Sequence, residues 1–257
     1  MLQAHSFLWN YLWVAPNFFL LIFATMLWRR GTARQVPSFL AFAVLAGAGG
    51  LIEFGADIAP SVSALSYWRI AWADLLIQSL IKFLVIGEVF SRLLKPYPSV
   101  SRVGRMTITG FGSVLVLVSA LLAAFSHIDS DTWIIADYHI LSQTVFLVEL
   151  GLVLGMFLFA RYFRLLWDRL SFGILLGFGL SSCEYLAAWA ILTNADLSVH
   201  GRTLLSFATM ATFHLCVLIW FYYLLVPYKA AAPVPAPALP ENNLDVWNRE
   251  LERLLQQ

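Results

Sequence analysis

Residues 70–94 read IAWADLLIQSLIKFLVIGEVFSRLL, an apolar run in which only Asp74, Lys82, Glu88 and Arg92 are ionisable. A helix of about 20 mostly apolar residues is long enough to cross a hydrocarbon core of about 30 Å. Within lipid, a lone run of this length can satisfy its own backbone only as a helix, whereas barrel strands would show about ten alternating residues. The stretch therefore predicts a membrane-spanning α-helix.

Six further runs of the same kind flank this stretch on both sides. They cover residues 8–28, 37–59, 105–126, 137–160, 170–192 and 203–226. The whole chain is 60% hydrophobic and only 12% charged, with a mean hydropathy of +0.78, whereas soluble domains carry about 25% charged residues. We therefore expect an all-α integral membrane bundle of seven transmembrane helices, with the lipid bilayer as its solvent.

The distribution of charge in the loops predicts the orientation, because cytoplasmic loops are enriched in Lys and Arg. Basic residues follow spans one, three, five and seven: Arg29, Arg30, Arg34, Arg92, Lys95, Arg102, Arg105, Arg161, Arg164, Arg169 and Lys229. The opposite loops hold only Arg69 and Arg202, but carry Asp57, Asp129, Asp131, Asp137 and Asp196. We expect the N-terminus outside and the C-terminus in the cytoplasm.

The end of the chain differs in composition from the spans. Beyond a transmembrane domain of residues 1–229, residues 230–240 form a Pro/Ala-rich linker, AAAPVPAPALP, which should be extended and stiff. Residues 241–257 then predict a cytoplasmic amphipathic tail helix, because apolar side chains recur at helical spacing. That apolar stripe, a candidate partner-binding surface, consists of Leu244, Trp247, Leu251 and Leu254. A loosely folded solvated end is the alternative interpretation.

Ionisable side chains inside the spans are the candidate functional groups, because each costs about 2.5–3.5 kcal/mol to insert. Small residues beside Glu53 and Glu184 predict that both face protein, since Gly and Ser let helices approach closely. Lys82 could pair with Glu149, Glu184 or Glu53. The predicted ligand or proton pocket is lined by Glu53, Asp74, Lys82, Glu149, Glu184 and His214.

The residues argue against several kinds of function. The net charge of +1, with no basic stripe, argues against nucleic acid. No phosphate loop, Gly-x-Ser-x-Gly elbow or His-Glu-x-x-His motif occurs, so the sequence leans against an enzyme. The spans also lack ligand spacing for a metal and the two deep histidines that bis-histidine haem would need. The sequence does not identify a cofactor.

In helix number and orientation, the pattern resembles seven-helix receptors and rhodopsins, and the membrane-embedded sensor domains of bacterial signalling proteins. Span seven has no lysine, so retinal is not expected, and it lacks an Asn-Pro-x-x-Tyr run. We therefore expect a receptor-like or sensory multi-pass protein with a small-molecule ligand and a cytoplasmic partner, in a bacterial inner membrane. The alternatives are a small proton-coupled carrier, a structural subunit of a membrane complex, and a bundle whose polar groups only fix helix packing.

Overall fold

The computed structural model describes residues 5–95, 133–162, 165, 167–195 and 197–225, together with the isolated residues 106, 110, 252 and 253; for residues 133–137 it describes the backbone only. Six long helices occupy the described stretches. They are α1 (Phe7–Arg29), α2 (Pro37–Ile58), α3 (Ala64–Leu94), α4 (Trp133–Tyr162), α5 (Arg169–Asn194) and α6 (Val199–Leu225), with a short 3₁₀ turn at Thr32–Arg34.

All six helices are long and apolar enough to cross a membrane, and the described part of the chain contains no strand. The all-α fold and the multi-pass membrane character predicted from the sequence are confirmed on this basis. The predicted span at 105–126 lies outside the described residues except for Met106 and Gly110, which are both helical. The tail stripe of Leu244, Trp247, Leu251 and Leu254 also lies outside them, within a separate unit that follows Leu225.

The six helices close into a ring that follows chain order. Each helix packs against the next one along the chain, and α6 returns to pack against α1. The association of helices in lipid depends on close van der Waals contact, because lipid tails are as apolar as the side chains they would replace. A continuous buried cluster of apolar side chains from all six helices fills the interior of the ring.

One end of the ring is basic, and arginines tie its helices together there. Arg30 donates a hydrogen bond to the carbonyl of Leu225, and Arg169 donates to the carbonyl of Tyr222 at 3.0 Å. Both acceptors lie in the last turn of α6, where carbonyls lack helical partners and the helix dipole favours cations. Arg92, near the end of α3, donates to the carbonyl of Gln35. We call this end the basic end.

The opposite end is rich in tryptophan, and it shows that α3 and α4 run in parallel. Near the start of α3, Trp68 packs edge-to-face on Tyr138, near the start of α4, with ring centroids 5.4 Å apart. His139 stacks on Trp189 near the end of α5, at 5.1 Å. Both α3 and α4 therefore begin at this tryptophan-rich end.

Glycines allow three pairs of helices to approach closely. A Cβ atom added at Gly49 on α2 would collide with the carboxyl of Asp74 on α3, and one added at Gly50 would collide with the side chain of Asn17 on α1. On α5, a Cβ at Gly173 would overlap Cβ of Tyr223 on α6. The glycine clusters of the second and sixth predicted spans thus bring neighbouring helices into contact, as small residues do at membrane helix interfaces.

Candidate functional site

Two adjoining cavities lie among the helices. The first, which we call the deep cavity, has a volume of about 180 Å³ and is lined by Phe42, Gln78, Lys82, Phe146, Phe178, Ser181, Glu184, Tyr185, Thr209, Phe213 and Trp220. The second, the rim cavity, has a volume of about 260 Å³ and is lined by Leu12, Trp13, Asn17, Ala46, Gly50, Glu53, Gln78, Thr209, Met210 and Phe213. Gln78, Thr209 and Phe213 border both, so the two cavities adjoin.

Lys82 and Glu149 form an ion pair beside the deep cavity. Nζ of Lys82 lies 3.2 Å from Oε2 of Glu149, and the two residues are 8% and 0% exposed. The ammonium also lies 4.6 Å from the centre of the Phe146 ring. Of the three partners that the sequence left open for Lys82, the structure selects Glu149. The pairing neutralises both charges, as the burial of charged groups demands.

A pair of acidic side chains lies between α2 and α3. The carboxyl groups of Glu53 and Asp74 lie close to each other, and two neighbouring carboxylates repel each other unless one of them takes up a proton. Gln78, one turn further along α3, donates from its amide nitrogen to Asp74. Asp74, Gln78 and Lys82 recur at intervals of four residues, which places them on one face of α3. This face forms a polar line from the Glu53–Asp74 pair to the Lys82–Glu149 pair.

Glu184 lines the deep cavity from the side of α5. Its Oε1 atom accepts a hydrogen bond of 2.7 Å from the hydroxyl of Thr209 on α6. No described side chain donates to its other carboxyl oxygen. Glu184 therefore presents an unfilled acceptor at the wall of a cavity in which Lys82 is already paired.

Two predicted pocket residues, Asp74 and Glu149, border neither cavity but bond to Gln78 and Lys82, which do. His214, by contrast, lies apart from this group. It borders neither cavity, and its ring packs against Tyr11 and Phe19 of α1, with centroids 5.9 and 5.6 Å away. Met210, one turn earlier on α6, borders the rim cavity and Phe213 borders both cavities, whereas the ring of His214 lies against α1. The prediction that His214 lines the pocket followed from its place inside an apolar run, which does not determine the face of the helix on which a residue lies.

A cluster of aromatic side chains fills the bundle on the basic side of the deep cavity. This aromatic plug consists of Phe23, Phe39, Phe42, Phe178 and Trp220, each at most 1% exposed. Its rings pack mainly edge-to-face, with centroids of Phe42 and Phe178 5.0 Å apart. Phe42, Phe178 and Trp220 also line the deep cavity. On this side of the deep cavity, the plug belongs to a continuous buried cluster of apolar side chains.

Glu88, a further ionisable residue of the third predicted span, has a structural role. It lies outside both cavities, and its Oε2 atom accepts a hydrogen bond of 3.0 Å from the backbone nitrogen of Ser38 in the first turn of α2. The first amides of a helix have no helical acceptor, and Val36, at the N-cap of α2, provides no side-chain cap. Glu88 therefore caps α2 from the neighbouring helix.

Sequence reasoning missed several uncharged polar residues that line the cavities, chiefly Asn17, Tyr185 and Thr209. Asn17 is 5% exposed and donates to the carbonyl of Trp13 at 2.8 Å. The predicted pocket consisted only of Asp, Glu, Lys and His side chains, which excluded these three. An asparagine beside a proline, Pro16, in the middle of an apolar span was the signal that could have identified Asn17.

The chemistry open to this region depends on the groups that line the two cavities. Within the stretches that the structure describes, no group of three or more His, Cys, Asp or Glu residues is placed to hold a metal ion. The cavities instead combine paired carboxyls and hydrogen-bonding groups with aromatic walls, as small-molecule pockets do. No protein-family model, curated protein or solved structure matches the chain.

Proposed function

We propose that this chain is a receptor-like or sensory membrane protein whose two cavities bind a small molecule that enters from the outer face. The observation that carries the proposal is the combination of a polar region in one half of the ring with the aromatic plug beneath it. A molecule can be held by Glu53, Gln78 and Glu184 without being conducted further. That arrangement favours detection of a ligand over its passage.

The proposal includes a seventh span and an orientation with the N-terminus outside. The parallel course of α3 and α4 supports the seventh span, because residues 96–132 must return over the height of the bundle, and 105–126 are apolar enough to do so as a helix. The arginines gathered at the basic end support a cytoplasmic location for that end. The cavities then open towards the outside of a bacterial inner membrane.

The tail helix would report ligand binding to a cytoplasmic protein partner. Arg30 and Arg169 both bond to carbonyls in the last turn of α6, so a shift of α6 at the cavity would reach the point from which the tail departs. Thr209 and Phe213 border both cavities and belong to the same helix. α6 is therefore the element that would connect a bound molecule to the tail stripe around Trp247.

Proton flux through liposomes that contain the full chain tests this function. We expect the flux to match that of protein-free liposomes, because the aromatic plug seals the inner half of the ring. Opening the plug by the double substitution Phe42→Ala and Trp220→Ala should produce a leak, which shows that the assay can detect one. Flux through the natural protein that follows a pH gradient and disappears in Glu149→Gln would contradict a sensor and favour a carrier.

The carrier is the second candidate, and one observation favours it. The polar line along α3 links the Glu53–Asp74 pair to the Lys82–Glu149 pair, and chains of acidic residues of this kind relay protons in membrane transporters. A carrier would have to open the plug in a second conformation, and the cavities would then belong to its outward-facing state. The flux measurement separates the two functions.

A further inference from the structure

We infer that the pocket takes a small organic ammonium ion with an apolar body. This inference rests on the proposed function and names the chemical class of the ligand. It follows from three features of the cavity walls: an excess of carboxyl groups, a surplus of hydrogen-bond acceptors, and aromatic faces.

The first feature is the charge of the lining. Lys82 is the only cation among the described residues that border either cavity, and its charge is offset by Glu149 at 3.2 Å. A single proton is enough to relieve the repulsion between the neighbouring carboxyls of Glu53 and Asp74, which leaves the pair with one negative charge. Glu184 adds a further carboxyl, bonded to Thr209. The cavity walls therefore carry one or two negative charges that no described cation offsets, and a cationic ligand would offset them.

The second feature is the direction of the hydrogen bonds. The hydroxyl of Thr209 uses its proton on Glu184, and the amide nitrogen of Gln78 donates to Asp74. The amide nitrogen of Asn17 donates to its own helix. Beside one remaining N–H on each amide, these groups offer a ligand the oxygen acceptors of Glu53, Gln78 and Glu184, which suit the N–H bonds of an ammonium group.

The third feature is the aromatic wall. Phe146, Phe178, Phe213 and Trp220 border the deep cavity, and Trp13 borders the rim cavity. The face of an aromatic ring attracts a cation, as the position of the Lys82 ammonium over Phe146 already shows. The same rings provide the apolar surface against which the rest of the ligand would pack. A carboxylate ligand would instead face the carboxyl groups and find no unpaired cation in the lining.

The competing possibility is that protons alone neutralise the carboxyls and that the ligand is uncharged. A comparison of matched probes separates the two. The full-length protein in lipid nanodiscs is titrated by calorimetry with 2-phenylethylammonium, with neutral 2-phenylethanol and with anionic 3-phenylpropanoate. We expect the ammonium probe to bind at least about tenfold more tightly than the alcohol, as one retained charge interaction would give, and the anion to bind most weakly.

Two variants assign the preference to the cavity. Glu184→Gln keeps an acceptor for Thr209 but removes the charge, and Glu53→Gln does the same in the rim cavity. Each should reduce the affinity for the ammonium probe about tenfold and leave the affinity for the alcohol unchanged. Asp57→Asn is the control, because it removes a carboxyl from the same helix as Glu53 without bordering either cavity. Thermal unfolding of each variant shows that it is folded.

The outcomes distinguish this inference from the proposed function. Equal binding of ammonium and alcohol, or tighter binding of the anion, would overturn the inference while leaving a ligand pocket in place. An ammonium preference that survives in both Glu184→Gln and Glu53→Gln would also overturn it. A protein that prefers the ammonium probe but conducts protons in liposomes would retain the inference and lose the sensor function.

Discussion

Nζ of Lys82 on α3 lies 3.2 Å from Oε2 of Glu149 on α4, and no described residue bonds to the other carboxyl oxygen of Glu149. The pair joins two parallel helices that are separated in the sequence by the longest connection between the six helices. Its two charges are acceptable at this depth because each offsets the other.

The first prediction concerns the energetic coupling of this pair. Lys82→Met leaves a buried carboxyl without its partner and should lower the free energy of unfolding by about 3–5 kcal/mol. The double variant Lys82→Met/Glu149→Leu removes both charges and should recover most of that loss. Reversible unfolding in mixed detergent micelles measures both. Losses that simply add in the double variant would show that the two side chains do not interact.

The second prediction concerns the close approach of α5 and α6. Gly173→Ala places a methyl group against Cβ of Tyr223, which cannot move without its backbone, so the free energy of unfolding should fall by about 1–3 kcal/mol. Gly151→Ala on α4 is the matched control, because nothing lies within 4 Å of its added Cβ. The same micelle unfolding assay compares them. Equal stability of the two variants would refute the close contact at Gly173.

The third prediction concerns the Glu53–Asp74 pair, of which Glu53 borders the rim cavity. Gly49→Ala pushes the Asp74 carboxyl away from its position, whereas Gly55→Ala on the same helix meets open space. The infrared C=O band of the protonated member of the Glu53–Asp74 pair should shift in Gly49→Ala and stay in place in Gly55→Ala. Asp74→Asn should remove the contribution of the pair. An unchanged spectrum in Gly49→Ala would mean that the two carboxyls do not interact.

The fourth prediction separates a structural glutamate from those of the cavities. Glu88→Ala removes the acceptor for the amide of Ser38 and should cost about 1 kcal/mol of stability, as the loss of a helix cap does. Glu88→Gln retains an acceptor and should lose less. Binding of 2-phenylethylammonium should be the same in both variants. A tenfold loss of binding in Glu88→Gln would place Glu88 in the ligand site instead.

The fifth prediction concerns the number of spans. A seventh helix places the two termini on opposite sides of the membrane, whereas six spans place them on the same side. We expect Ser61→Cys, between α2 and α3, to react with an impermeant thiol reagent added outside, and Gln35→Cys, between α1 and α2, to be protected. A C-terminal fluorescent fusion should be shielded from external protease while an N-terminal epitope is cleaved. Two accessible termini would exclude the seventh span.

Much of the fold could be predicted from the sequence because apolar length and loop charge act locally. The run at 70–94 predicted a helix that in fact begins six residues earlier, at Ala64, since Ser63 caps the helix with its hydroxyl and the capping signal lies outside the apolar run. Parallel packing of α3 and α4 depends on contacts such as that of Trp68 with Tyr138, which a hydropathy profile does not predict.

The candidate site could be predicted less well from the sequence, because the depth of a residue in a helix does not determine which neighbouring side chain it contacts. Lys82 had three possible partners, and only the packing of α3 against α4 selects Glu149. Glu88 and His214 are both ionisable residues within apolar runs, yet one caps a helix and the other packs against aromatic rings of α1. Thr209 was not predicted because it carries no charge, although it borders both cavities.

The central claim is that a polar cavity opens towards the outside between α1, α2 and α6. Cysteine accessibility at Met210, which borders the rim cavity, tests it most directly in a background where Cys183 and Cys216 are replaced by alanine. Leu218→Cys is the control, because Leu218 is on the same helix, outside both cavities, and 48% exposed on the bundle surface. We expect a membrane-impermeant thiosulfonate added outside intact cells to modify Met210→Cys and to leave Leu218→Cys unmodified. Equal protection of both cysteines would contradict the claim.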